Sequence, residues 1–131
     1  MELVKAFGHR VVSSADLVQT FVSTIDEEGY RLHKEAGLVI DAVLREAFDE
    51  IRAGIASGSG ITDYAVQQFI LKRQLEQGVI TAEPPMVGVN ERPVDPHFEL
   101  DASKARRLCR GDTVLIDLYG KRSVPGAIYY D

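Results

Sequence analysis

Apolar residues recur at every third or fourth position across one long stretch of the chain, the period of one face of an α-helix. These positions are Leu32, Ala36, Val39, Ile40, Val43, Leu44, Ala47, Phe48, Ile51 and Ile55, and charged residues lie between most of them. Residues 24–27, TIDE, have the form of a capping box, with a hydroxyl at the cap and a carboxylate three residues later. The pattern predicts one long helix with a single buried stripe.

One short helix is predicted before this long helix, and a third helix and three strands are predicted after it. A short helix over residues 15–24 follows Ser13 or Ser14, and Thr62 caps a third helix that ends at Gly78. Beyond Gly78 the runs PPMVGVN, TVLIDLYG and GAIYYD are β-branched or aromatic and suit strands. The fold class predicted is α+β, with two or three helices packed on an antiparallel sheet. Residues 1–25 form a lead-in with the short helix, and residues 26–131 form the main unit.

The composition of the chain argues against two classes of partner, nucleic acid and membranes. The chain has 131 residues, 45% of them hydrophobic, and a formal net charge of -5 without a basic stripe, so nucleic acid is not expected as a partner. No apolar run approaches the roughly 18 residues that cross a bilayer, so no membrane partner is expected. The single cysteine, Cys109, excludes an internal disulfide. Together with the lack of a signal-peptide pattern, it predicts a cytoplasmic protein.

Two aspartates near the end of the sequence are candidate metal ligands. Alternation places Asp117 on one strand face with Leu115 and Tyr119, where a half-buried carboxylate needs a compensating partner. If residues 113–119 and 126–131 form a hairpin, Asp131 comes opposite Asp117 at roughly 5 Å, and two such carboxylates need a proton or cation between them. A hard or borderline divalent ion suits that pair. The plainer alternatives are a carboxylate bonded to loop amides, for Asp117, and a solvated one, for Asp131.

His97 is the third candidate, in the loop sequence VDPHFEL. Its plainer alternative is an ordinary surface histidine. His9, in the lead-in, and His33, on the charged side of the long helix, are given no role.

The ordered series PPMVGVN, DPHFEL, RLCRGDTVLIDLYG and AIYYD resembles the first half of the pita-bread metallopeptidase domain. That family includes Xaa-Pro aminopeptidases, prolidases, methionine aminopeptidases and creatinase. SSADLVQTF resembles the lead into its catalytic domain, and GITDYAVQQFI resembles its second helix, where the family more often has Thr-Glu than Thr62-Asp63. The resemblance covers residues 13–131 and implies the pita-bread fold.

The resemblance also implies roles for the three candidates. Asp117 corresponds to a metal ligand, Asp131 to an aspartate that bridges two metal ions, and His97 to a histidine that borders the substrate pocket and contacts the reacting group. The implied cofactors are two divalent ions (Mn, Co or Zn) about 3.5–4 Å apart that activate a shared water. The implied reaction is hydrolysis of the peptide bond before proline, in a peptide with proline at its second position.

The remaining family ligands, one histidine and two glutamates, come from a second half that follows the bridging aspartate. We therefore expect this sequence to be part of a longer hydrolase. By itself we expect it to be inactive, to bind metal weakly or not at all, and to self-associate as a homo-oligomer. The alternatives are a creatinase-like amidine hydrolase that uses the fold without metal, and a relative that binds ligand without catalysis.

Overall fold

A computed structural model describes residues 6–8, 10–95 and 98–131. Its elements in chain order are α1 (Ala15–Val22), α2 (Glu27–Ser57), α3 (Asp63–Glu76), β1 (Val79–Ile80), β2 (Met86–Val89), β3 (Val114–Asp117) and β4 (Lys121–Arg122). Two short 3-10 turns, Arg92–Val94 and Ala102–Lys104, interrupt the long connection between β2 and β3. Helices packed on small antiparallel sheets confirm the α+β prediction. No helix within the described ranges is long and apolar enough to cross a bilayer.

The long helix α2 begins two residues later than the capping-box prediction. Its N-cap is Asp26, whose Oδ1 accepts a hydrogen bond from the amide of Gly29 at 2.7 Å. The predicted cap, Thr24, instead donates its hydroxyl to the carbonyl of Thr20 at the end of α1. The carboxylate was the stronger competitor because it is charged and faces the positive end of the helix dipole. The helix ends at Gly58, whose φ of 71° is left-handed.

The predicted stripe of α2 forms the centre of the core. Its buried members are Leu32, Ala36, Ile40, Val43, Ala47 and Ile51. Helix α3 packs against this stripe through Val66 and Ile70, and β1 and β2 add Val79, Val87 and Val89. Phe48 departs from the prediction, since it is 40% exposed. The caps of α3 are as predicted: Thr62 Oγ1 accepts from the amide of Ala65, and Gly78 has a φ of 72°.

The strands pair differently from the predicted hairpin. β3 pairs with β2 in antiparallel register, with Met86 opposite Asp117 and Val89 opposite Val114. β4 pairs with β1 in a separate two-stranded sheet. Residues 126–131, predicted as a strand beside β3, make only an isolated bridge in which Tyr130 and Gly120 exchange two backbone hydrogen bonds of 2.8 and 3.0 Å.

The alternation predicted for β3 is correct, but the exposure of its two faces is not. Val114 and Ile116 are partly buried against the core and Leu118 is buried. Leu115 and Asp117 are exposed on the opposite face. Asp117 therefore does not need the compensating partner that a half-buried carboxylate would require, because water solvates it.

Candidate functional site

Asp117 lies at the junction of two cavities. The larger one has a volume of about 680 Å³ and the smaller one a volume of about 440 Å³. Asp117 contributes to the walls of both. The position follows from the local sequence, since Asp117 ends β3 on its solvent-facing side.

The larger cavity combines an apolar wall with carboxylates at its rim. Its lining residues are Gln67, Glu83, Pro84, Pro85, Met86, Phe98, Glu99, Leu100, Asp117 and Tyr119. The buried amide of Gln67 donates to the carbonyl of Pro85 at 2.8 Å, which holds the proline segment against α3. The volume of this cavity, lined by apolar side chains together with several polar groups, is in the range of small-ligand sites.

The smaller cavity contains both candidate aspartates. Asp117 and Asp131 line it together with Asp41 and Leu44 of α2 and with Tyr130. The structure thus brings the two aspartates to one cavity, but not as directly opposed residues of a hairpin. Because Tyr130 pairs with Gly120, continuing that register places Asp131 opposite Tyr119, two positions beyond Asp117.

The chemistry of these two carboxylates suits a divalent cation. Asp117 and Asp131 are exposed to solvent, and neither forms a salt bridge with a cationic side chain among the described residues. Carboxylate oxygens are the donors that Mn²⁺ and Mg²⁺ prefer. The donors present fit such an ion but make only part of a coordination shell, since no group of three or more histidine, cysteine or acidic side chains clusters within the described residues.

A comparison with protein-family models matches residues 31–123 to metallopeptidase family M24, which is well over half of the chain. The chain belongs to metallopeptidase family M24. A comparison with curated proteins gives no match. M24 metallopeptidases are hydrolases that use divalent metal ions, so the M24 match supports the pita-bread resemblance and a peptidase-type chemistry. The matched region contains Asp117 and His97 and ends before Asp131.

The chain also contains a buried ion pair that its sequence pattern does not predict. Asp63, at the start of α3, is completely buried. Its carboxylate accepts from the amides of Tyr64 and Arg106 at 2.8 and 2.7 Å and pairs with the guanidinium of Arg92. Arg92 in turn lies over the ring of Phe98, 5.1 Å from its centroid. Asp63 therefore supports, through Arg92, a ring that lines the larger cavity.

A second polar cluster fixes the start of β3. Asn90, in a left-handed conformation with φ of 55°, donates to Asp112 and accepts from the amide of Thr113. The other oxygen of Asp112 accepts from the amide of Cys109 at 2.7 Å. The hydrogen bond from Asn90, followed by that from Cys109, holds the pKa of Asp112 below its usual value. Asn90 lies 22 residues before Asp112 in the sequence, so this contact depends on the pairing of β2 with β3.

His97 lies outside the described residues, so its predicted place beside the substrate stays a prediction. The described flanks of its loop are fixed by backbone hydrogen bonds from Asp95 to Arg92 and from Phe98 to Asp95. Lys104 donates to the carbonyl of Glu99 at 2.9 Å, just beyond. Phe98, the first described residue after His97, lines the larger cavity.

Proposed function

We propose that residues 26–131 form the first half of the catalytic unit of an Xaa-Pro peptidase, an aminopeptidase or dipeptidase that cleaves the bond before proline. The observation that carries the proposal is the position of Asp117 within the M24-matched region. Its carboxylate borders both the cavity with the apolar wall and the cavity that contains Asp131. Substrate and metal sites must adjoin in a metal-dependent hydrolase, and Asp117 is the residue common to both cavities.

In this proposal Asp117 and Asp131 hold divalent cations, with Mn, Co or Zn as candidates. Bound at this place, such ions supply Lewis acidity and lower the pKa of a coordinated water. The protein's own contribution is to present two solvent-exposed carboxylates that make no ion pair among the described residues, while the other sides of β3 and α2 are packed into the core. The remaining ligands would come from a second half of the catalytic unit.

The substrate class in the proposal is a short peptide with proline at its second position. Pro84, Pro85, Met86, Phe98 and Leu100 supply apolar surface against which a pyrrolidine ring can pack. His97 is proposed to contact the reacting group from the loop before Phe98. A cytoplasmic location is proposed from the composition alone.

The proposal is tested by adding Mn²⁺ to the ¹⁵N-labelled chain and recording two-dimensional amide spectra. Since the chain alone is expected to bind metal weakly, we expect weak binding that still broadens the amides near Asp117 and Asp131 selectively, and we expect Asp117→Asn to abolish it. Asp49→Asn, which removes an exposed carboxylate on α2 far along the helix from the cavity, is the matched control and should leave the broadening unchanged. Broadening spread over all acidic surface residues would contradict a defined metal site.

The substrate class is tested separately with peptides. Ala-Pro should shift the amides of Met86, Phe98 and Leu100 more than Ala-Gly or Pro-Ala does at equal concentration. Equal shifts with all three dipeptides would contradict proline selectivity. Peptide binding without any metal-dependent broadening would favour the alternative of a relative that binds ligand without this metal chemistry.

A further inference from the structure

One face of α2 carries four residues that recur at intervals of four: Gly29, His33, Gly37 and Asp41. We call this set the α2 row. Residues four apart in a helix are neighbours on the same face, so the row forms a slightly slanted line along α2. Residues 128–131, which we call the 128–131 segment, lie along this line in the same order.

The two glycines of the α2 row provide space for the 128–131 segment. A Cβ atom placed on Gly29 would come within 3.0 Å of Ile128 Cδ1, and one on Gly37 within 2.6 Å of Tyr130 Cε2. A separation of 2.6 Å is shorter than carbon atoms tolerate, so the ring of Tyr130 could not remain where it is if residue 37 had a side chain. The helix cost of glycine, about 1 kcal/mol relative to alanine, is thus offset by a close contact.

His33 holds the same segment through a hydrogen bond and a ring contact. Its Nδ1 lies 2.7 Å from the carbonyl oxygen of Tyr129, and since a carbonyl only accepts, Nδ1 carries the proton and donates. The imidazole also lies against the ring of Tyr130, with 5.1 Å between ring centroids. On the opposite side, Tyr130 is bonded through its backbone to Gly120.

Tyr130, the residue before Asp131, is therefore held by contacts with Gly37, His33 and Gly120. The last member of the row, Asp41, lines the smaller cavity together with Asp131 and Asp117. The α2 row thus extends from Gly29, at the beginning of the 128–131 segment, to Asp41, at the smaller cavity that contains the proposed metal site.

We propose that the α2 row positions Asp131 beside Asp117, and that Gly37 and His33 are positioning residues of the metal site. The inference rests on the proposed function, because it assigns these residues a purpose only if Asp131 is a ligand. Neither Gly37 nor His33 lines the smaller cavity. Each acts through Tyr129 or Tyr130, so loss of either should displace Asp131 and leave Asp117 in place on β3.

The test compares Gly37→Ala with Gly54→Ala in the 131-residue chain. Both glycines are buried in α2, and a Cβ at position 54 would meet Ile61 Cβ at 2.7 Å, so both variants introduce a close contact and remove a helical glycine. Gly54 lies away from the cavity. We expect Gly37→Ala to weaken Mn²⁺ binding about tenfold, the lower end of losses typical when a supporting partner of a metal ligand is removed. Gly54→Ala should keep wild-type affinity.

Amide broadening by Mn²⁺ distinguishes positioning from general destabilisation. In Gly37→Ala, the Mn²⁺ concentration needed to broaden the amides of Ile116 and Leu118 should rise about tenfold, and broadening of Tyr130 should fall relative to theirs. His33→Leu should act in the same way, and His33→Asn, whose Nδ2 can replace the Nδ1 donor, should restore the wild-type pattern. Wild-type broadening in Gly37→Ala and His33→Leu would overturn the inference alone. Absence of selective broadening in the wild-type chain would overturn the proposed metal site and the inference together.

Discussion

Asp63 and Asp117 are both aspartates of the M24 region, and their surroundings are opposite. Asp63 is inaccessible to solvent, and its carboxylate is satisfied by two backbone amides and the guanidinium of Arg92. Asp117 is exposed, makes no ion pair among the described residues and borders two cavities. A fully satisfied buried carboxylate has no capacity left for a ligand, so it stabilises the fold. An unpaired carboxylate on a packed strand contributes little to folding and stays available to bind.

The largest effect we expect from this contrast is on stability. Asp63→Ala leaves the charge of Arg92 and two buried amides without their partner, and breaking a buried pair in this way costs about 3–5 kcal/mol. Asp117→Ala should change the free energy of unfolding by no more than about 0.5 kcal/mol, as is usual for an exposed residue. Urea unfolding of both variants measures the difference. Equal losses of unfolding free energy in the two variants would show that Asp63 contributes no more to folding than Asp117 does.

A second prediction concerns acid stability near the beginning of β3. The pKa of Asp112 is lowered in the folded chain, chiefly by its hydrogen bond from Asn90, so its ionised form favours folding. The contribution is complete above the unfolded pKa of about 3.9 and is lost as pH falls through the lower folded value. Asp112→Asn should therefore flatten the loss of stability below pH 4. The check is the unfolding midpoint between pH 2 and 6, and an unchanged acid slope would contradict it.

A smaller effect is expected at the exposed face of β3. Leu115 lies on the same face as Asp117 and is 42% exposed, which makes it a candidate contact between copies of the chain. If the expected homo-oligomer uses this face, Leu115→Lys should shift the sedimentation profile at micromolar concentration toward the monomer. Leu75→Lys, at a more exposed leucine of α3, is the control. A wild-type chain that is already monomeric would contradict the expectation.

The sequence predicted the helical part of the fold well because its signals are local. The stripe of α2, the Thr62 cap and the left-handed Gly78 depend on periodicity and on neighbours within one helical turn. The same holds for the alternation along β3. Phe48 was misplaced because the buried stripe is narrower than the spacing rule allows. Asp26 replaced Thr24 because two capping residues, two positions apart, compete for one helix start.

The pairing of strands and the polar contacts could not be predicted in this way. The partners of β3 lie 25 to 31 residues away in β2, and nothing in the run TVLIDLYG distinguishes that pairing from a hairpin with residues 126–131. Asp63 has Arg92 as its partner across 29 residues, and His33 meets Tyr129 across 96. The spacing of Gly29, His33 and Gly37 was a signal available in the sequence, but it gained meaning only with Tyr130 in place.

The central claim is that Asp117 and Asp131 belong to one metal site. A double-mutant cycle of Mn²⁺ affinity, measured by calorimetry on the wild-type chain, Asp117→Ala, Asp131→Ala and the double variant, tests it most directly. If both carboxylates hold the same ion, each single variant loses most of the affinity and the double variant loses little more. If instead the fold-losses of Mn²⁺ affinity in the two single variants multiply in the double variant, the two aspartates act independently. That result would contradict the account.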